Sequence, residues 1–223
     1  MRQPRREISG TRNLRLVKPR LRGVSHQYAF FVALAAGAAL VVLARGGEAR
    51  AAVAVYALSL CAMFGASALY HRIDWPPGPR AWLRRLDHSM IFVLVAGSYT
   101  PFALLVLAPA LGWTLLGVIW GGALAGIALS LLWVDAPRWL SAAVYVVLGW
   151  VAVIGLPQLW ERAGAMAVAL LATGGVLYTV GAVVYARRRP DPAPRVFGYH
   201  EVFHVLVIAA AAVHFAAIAV YAV

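Results

Sequence analysis

HSMIFVLVAGSYTPFALLVLAPALGWTLLGVIWGGALAGIALSLLWV, residues 88–134, contains no Asp, Glu, Lys or Arg. A helix crosses the hydrocarbon core of a bilayer in about 20 apolar residues. The stretch is therefore too long for one crossing and must hold two. Its interruption falls at Ala108-Pro109-Ala110-Leu111-Gly112, where proline and glycine punctuate the apolar run. The alternating pattern of a β-barrel is absent, so the crossings are expected to be helices, which satisfy their own backbone in lipid.

Outward from this stretch the pattern repeats. Uncharged apolar runs of spanning length occupy residues 24–44, 51–70, 88–108, 112–134, 139–160, 163–186 and 202–223. The expected fold is all-α, a seven-transmembrane helix bundle over residues 23–223 behind a basic tail at residues 1–22. Composition agrees: 63% of the 223 residues are hydrophobic, 13% are charged, and the mean hydropathy is +0.79. Soluble domains average about 25% charged residues, and this chain has too little polar surface to cover its apolar residues in water. The single cysteine, Cys61, allows neither a disulfide nor a cysteine metal site. The first apolar run is long enough to span rather than to be cleaved as a secretory signal.

The net charge of +12 would point to nucleic acid in a soluble protein. Here it sits in the tail and loops without an interleaved aromatic stripe, so nucleic acid is not expected as a partner, and membrane lipids are. Cytoplasmic loops are enriched in Lys and Arg. With the N-terminus inside, residues 1–22, 72–85, 135–138 and 187–195 carry 17 basic residues, and the opposite side carries only Arg45, Arg50 and Arg162. The N-terminus is thus expected in the cytoplasm and, after seven crossings, the C-terminus outside. The proline-rich segments Asp74–Pro79 and Arg189–Pro194 read as rigid connectors on the cytoplasmic side.

The last apolar run begins His200-Glu201-Val202-Phe203-His204. Histidines at i and i+4 share a helix face and can share a metal. The second run ends Ser67-Ala68-Leu69-Tyr70-His71, and the third is expected to open with Asp87. The alternation of crossings brings His71, Asp87, His200 and His204 to one cytoplasmic depth. Three imidazoles with a fourth position open are the donor set of a catalytic zinc. Zinc brings the pKa of its bound water to about 7, and a carboxylate, Asp87 or as the alternative Glu201, can handle that proton. Ser67, one turn before His71, is placed to hydrogen-bond within the site.

Ser67-x-x-x-His71, Asp87 some sixteen residues on and His200-x-x-x-His204 opening the last helix together resemble the hemolysin III family, the bacterial branch of the progestin and adipoQ receptor superfamily. Lys18-Pro19-Arg20-Leu21-Arg22-Gly23 and His26 before the first run extend the resemblance over nearly the whole chain. It implies zinc on His71, His200 and His204, with Asp87 and Ser67 near the metal's water, in a multi-pass protein of the bacterial inner (plasma) membrane. Related members look like lipid amide hydrolases of ceramidase type. One departure stands at the start: Arg22 occupies the place where the family has Asn, and an expected Glu has no counterpart.

The function expected is a zinc-dependent hydrolase of lipid amides or esters. The alternatives are a membrane sensor or regulator with structural zinc and, from the family's name, a membrane-permeabilising cytolytic or channel protein. The spacing His200-Glu201-x-x-His204 also matches a zinc metalloprotease, whose Glu is the general base. Such a site needs a third protein ligand, and no Asp, Glu or further His except His214 follows His204. His214 lies about 15 Å further along the helix and is expected to make a buried polar contact instead. His88 turns about 100° away from Asp87 and is left out of the site, while His26 is a candidate cavity residue. Retinal is excluded, because the only lysine, Lys18, is in the tail and cannot form a Schiff base within the bundle.

Overall fold

The computed structural model describes residues 18–222. Most of the expected basic tail, residues 1–17, therefore lies outside the described residues. The chain forms α1 (Val24–Leu43), α2 (Gly47–Arg72), α3 (Pro77–Leu105), α4 (Pro109–Leu132), α5 (Arg138–Trp150), a 3-10 turn (Val151–Gly155), α6 (Leu156–Arg187) and α7 (Tyr199–Tyr221). The class is all-α, and the described residues contain no strand beyond one isolated bridge between Ala193 and Phe197. Six helical segments are long and apolar enough to cross a membrane, with Arg138–Arg187 counted as a single one of 50 residues.

Helix α3 differs from its sequence expectation. It opens at Pro77, so Asp87 lies well inside it and Pro77–Pro79 belong to the helix rather than to a connector. Proline is suited to the first helical turn, where its missing N–H would have had no partner. Hydropathy hid these turns because Arg80, Arg84 and Arg85 make them polar. Their charges are met locally: Arg84 Nη1 lies 2.7 Å from Asp135, and Arg85 Nε donates to the Leu131 carbonyl at 2.9 Å. The interruption expected at residues 108–112 is found at Val106–Ala108, with Pro109 starting α4.

Helix α2 is the most enclosed of the spanning helices. It lies between α1 and α3 and touches α7, where Tyr56 Oη donates to the Ala211 carbonyl at 3.5 Å. In lipid there is no hydrophobic drive between apolar helices, so close packing over small residues holds them. A Cβ on Gly97 of α3 would sit 2.1 Å from Ser59 Oγ of α2, and one on Gly126 of α4 would sit 2.2 Å from the Phe92 ring of α3. Gly97 brings α3 close to the α2 backbone, with the Val55 carbonyl 3.4 Å from that Cβ position, and Gly126 leaves the space that the Phe92 ring fills.

Helices α5 and α6 lie side by side in opposite directions. Arg138, at the start of α5, holds its guanidinium 5.5 Å from the Tyr185 ring near the end of α6. Trp150, at the end of α5, donates Nε1–H to Thr179 Oγ1 at 2.9 Å. The chain reverses between them, and Gly164 is the residue inside α6 with non-helical dihedrals, φ 80° and ψ 176°. Only glycine adopts that conformation without a Cβ penalty.

Filling the α3–α4 seam should be costly. Gly126→Ala is expected to lower stability by about 1–3 kcal/mol, the usual cost of overpacking. Gly117→Ala on the same helix, where a Cβ meets nothing within 4 Å, should leave it unchanged or raised. Thermal unfolding in detergent measures both, and equal melting temperatures would refute the close-packed seam.

Candidate metal centre

Four helices deliver polar side chains to one end of the bundle. The last turns of α2 carry Ser67 and His71, α3 carries Asp87 and His88, the first turns of α7 carry His200, Glu201 and His204, and the first turn of α1 carries His26. The 3.6-residue period sets Ser67 with His71, and His200 with His204, on common faces. The three ligand candidates meet: one nitrogen from each of His71, His200 and His204 lies within 4.8 Å of the other two. His71 Nε2 and His200 Nε2 are 3.1 Å apart.

That spacing suits a metal. Zinc–nitrogen bonds of 2.0–2.1 Å in a tetrahedron separate ligand nitrogens by about 3.3 Å. His204 is almost fully buried, and its Nδ1 has no hydrogen-bond partner among the described residues. An imidazole without a protein partner at this depth fits a ring whose other partner is an ion. Asp87 Oδ2 lies 3.6 Å from His71 Nε2, the nitrogen that faces His200. The carboxylate therefore stands on the Nε2 side of the ring, the side that faces His200, rather than behind it on Nδ1.

The remaining polar groups fall into two sets. Ser67 Oγ and His26 Nδ1 are 2.8 Å apart, and the His26 ring stacks on His204 with centroids 3.8 Å apart and planes 14° from parallel. Ser67 thus serves His26, which in turn backs the His204 ring. Glu201 faces away. Its Oε2 accepts the Gly198 N–H at 2.8 Å and its Oε1 accepts Arg22 Nε–H, so both oxygens are committed outside the histidine cluster. Both Glu201 oxygens are thus engaged away from the histidines, whereas the Asp87 carboxylate lies beside His71. His214 stands apart as expected, with Nε2–H donated to the Leu171 carbonyl at 3.2 Å.

A cavity leads from the histidines into the bundle. Its void, including the part open to the outside, is about 1140 Å³. His26, Ser67, Asp87 and His200 line one end, and Leu94, Val95, Tyr99, Trp150 and Val207 line the rest. His88, excluded from the site on angular grounds, also lines this cavity. Asp87 and His88 sit at the two edges of one broad face of α3 that continues through Ile91, Leu94, Val95, Ser98 and Tyr99, and a cavity this wide reaches both edges. Sequence reasoning also missed Arg138, whose Nη1 donates to Tyr199 Oη at 2.6 Å while its guanidinium lies over Tyr185. Both tyrosine rings touch His200. Nothing in the spacing of residues 138, 185 and 199 announces that cluster.

An all-α, multi-pass membrane protein with buried histidines from two helices, able to hold a metal at the head of an apolar cavity, is the class that fold and site define. The Haemolysin-III related family profile matches residues 14–215, and the chain belongs to that family. It is 32% identical to Hemolysin-3 of Bacillus cereus over 215 residues, 95% of each chain. It is 33% identical to the Hemolysin-3 homolog of Bacillus subtilis over 169 residues, 76% of each chain. More distantly, it is 26% identical to the Monocyte to macrophage differentiation factor of Homo sapiens over 171 residues, 74% of this chain and 67% of the relative.

Elemental analysis of the purified protein should find close to one transition-metal ion per chain. His71→Ala and His204→Ala should each lose most of it, and His214→Ala should retain it. Near-stoichiometric metal in both of the first two variants would remove the ligand set.

Proposed function

We propose that the chain is a zinc-dependent hydrolase acting on amide or ester bonds of membrane lipids, with its site at the cytoplasmic side of a bacterial inner membrane. The observation that carries this reading is the side on which Asp87 stands: its carboxylate faces the same His71 nitrogen that faces His200.

When bound, zinc supplies a Lewis acid that polarises a carbonyl and acidifies water. His71, His200 and His204 would hold it. Asp87 Oδ2 would accept a proton from the attacking water and return it to the leaving nitrogen or oxygen. The His26 ring, fixed by Ser67, would keep His204 from rotating. Apolar walls from Leu94 to Val207 would take an acyl chain and exclude bulk water from the scissile carbonyl. The antiparallel contacts of α5 with α6 and the non-helical Gly164 support reading Arg138–Arg187 as two crossings, which makes seven. The 17-to-3 distribution of basic residues supports a cytoplasmic N-terminus.

A second reading has its own support. The ligand candidates tie the end of α2 to the start of α7, as a structural clamp in a sensor or regulator would. The relatives named Hemolysin-3 add a third, membrane permeabilisation.

Reconstituted protein in vesicles of defined lipid separates the three. Release of free fatty acid that stops on chelation and returns with zinc is the expected outcome. Asp87→Asn should lower kcat by about 10²–10⁴-fold, the range for losing a general base, while metal content is kept. Metal-dependent folding without turnover would replace the hydrolase with the sensor, and dye leakage without turnover would replace it with the permeabilising protein. Cysteine labelling from one face at a time tests the crossings. Positions 46 and 164 should react from the outside and positions 74 and 191 from the cytoplasm, and labelling of 164 together with 191 would remove the seventh crossing.

A further inference from the structure

Residues 18–23 run as a short strap across the end of the bundle that holds the histidines. Two backbone bonds fasten it to the connector before α7, Arg20 N–H to the Arg195 carbonyl at 3.0 Å and Leu21 N–H to the Val196 carbonyl at 3.1 Å. At the other side Lys18 Nζ reaches Asp74 at 2.8 Å and the Arg72 carbonyl at 3.4 Å, beside the end of α2. The Lys18 ammonium holds the Asp74 carboxyl below the usual carboxylate range. Asp74 is largely exposed, so this contact is a screened surface pair.

The inner half of the strap touches both sides of the histidine cluster. Gly23 has φ 76°, and a Cβ there would lie 2.6 Å from the His71 Cβ. The strap backbone is thus pressed against the α2 ligand candidate. Arg22 reaches the α7 side, where its Nε–H pairs with Glu201. Glu201 is 1% exposed and lies between the two α7 histidines in sequence. Its other oxygen caps the helix through Gly198, as the third residue of a capping box does. A charge this buried is stable only while its partner is present. The pair therefore fixes which way the first turn of α7 is rotated, and a helix rotation moves His200 and His204 together, since both share its face.

We propose that Arg22 and Glu201 are positioning residues for the metal: their ion pair sets the rotation of α7 that aims His200 and His204 at His71. The proposal rests on the metal-ligating reading of those histidines. It assigns Arg22 a role in this chain, and it gives the Glu of His200-Glu201-x-x-His204 an orienting task in place of a catalytic one. The arrangement follows the general rule that groups behind the ligands hold them in ligating geometry.

The test uses full-length protein stripped of metal in detergent. Zinc affinity is measured by chelator competition, ligand geometry by the visible spectrum of bound cobalt(II), and apo-protein stability by thermal unfolding. The double variant Arg22→Met with Glu201→Gln removes both charges and leaves an amide oxygen to cap Gly198. It is expected to bind zinc about 10–100-fold more weakly, the usual effect of losing an orienting partner. Its cobalt spectrum should be altered and its apo melting temperature close to wild type. Arg22→Lys, which keeps the charge and loses the fixed guanidinium, should fall between the two. Should the double variant not fold, Arg22→Lys and Glu201→Gln carry the same readouts. Wild-type affinity with an unchanged cobalt spectrum overturns the proposal and leaves the metal site standing. A weaker affinity matched by an equal loss of apo stability, with the cobalt spectrum unchanged, also overturns it, because the pair then only fastens the fold. A wild-type protein that takes up no metal overturns the site and this proposal with it.

Discussion

A buried imidazole or carboxylate in a membrane protein has no water to turn to, and each must find its partner within the bundle or in a bound ion. That constraint organises the end of the molecule where α2, α3 and α7 meet. His71 faces His200 and Asp87, His26 faces Ser67, Glu201 faces Arg22 and Gly198, and Arg138 faces two tyrosines. Among the described residues of this cluster, His204 Nδ1 and His26 Nε2 are the ring nitrogens left buried without a protein partner. His71, His200 and His204 bring one ring nitrogen each within reach of a shared cation, so the cluster could hold a metal ion.

The same constraint separates two carboxylates that look alike in the sequence. Asp87 and Glu201 both neighbour histidines, and both could have handled a proton. Glu201 lies about 100° around α7 from His200, which turns it into the seam with the strap, where a guanidinium and a backbone N–H take both its oxygens. Asp87 comes from a different helix and meets the imidazole cluster across the helix–helix gap. The His-Glu-x-x-His spacing alone cannot make this distinction, because it describes one helix and the site is made by three.

Helix packing then gives the site its surroundings. Close approach of α2 to α3 over Gly97, and of α3 to α4 over Gly126, draws these helices together on one side of the bundle. Helix α5 is broken by the turn at Val151–Gly155 and pairs chiefly with α6. The space between α3, α5, α6 and α7 is the cavity, so its apolar walls are a consequence of where small residues permit contact and where they do not. The charged first turns of α3 show the limit of hydropathy as a guide to helices. Lipid length fixes where a run is apolar, but a helix continues into the interface as long as Arg84 and Arg85 find partners there.

The apolar runs, their length and the lack of alternation determined the all-α membrane class, the break near Pro109 and the helices to which His71, Asp87, His200 and His204 belong. These follow from local physics: the cost of charge and of free backbone in lipid, and the 3.6-residue period. Tertiary structure decided what faces what. It turned Asp87 toward the cluster and Glu201 away from it, set Ser67 on His26, brought His88 and Arg138 to the cavity and tied Arg22 to a residue 179 positions later. Such contacts depend on the rotation and spacing of whole helices, which are fixed by packing summed over many residues, and no short stretch of a single sequence encodes that sum.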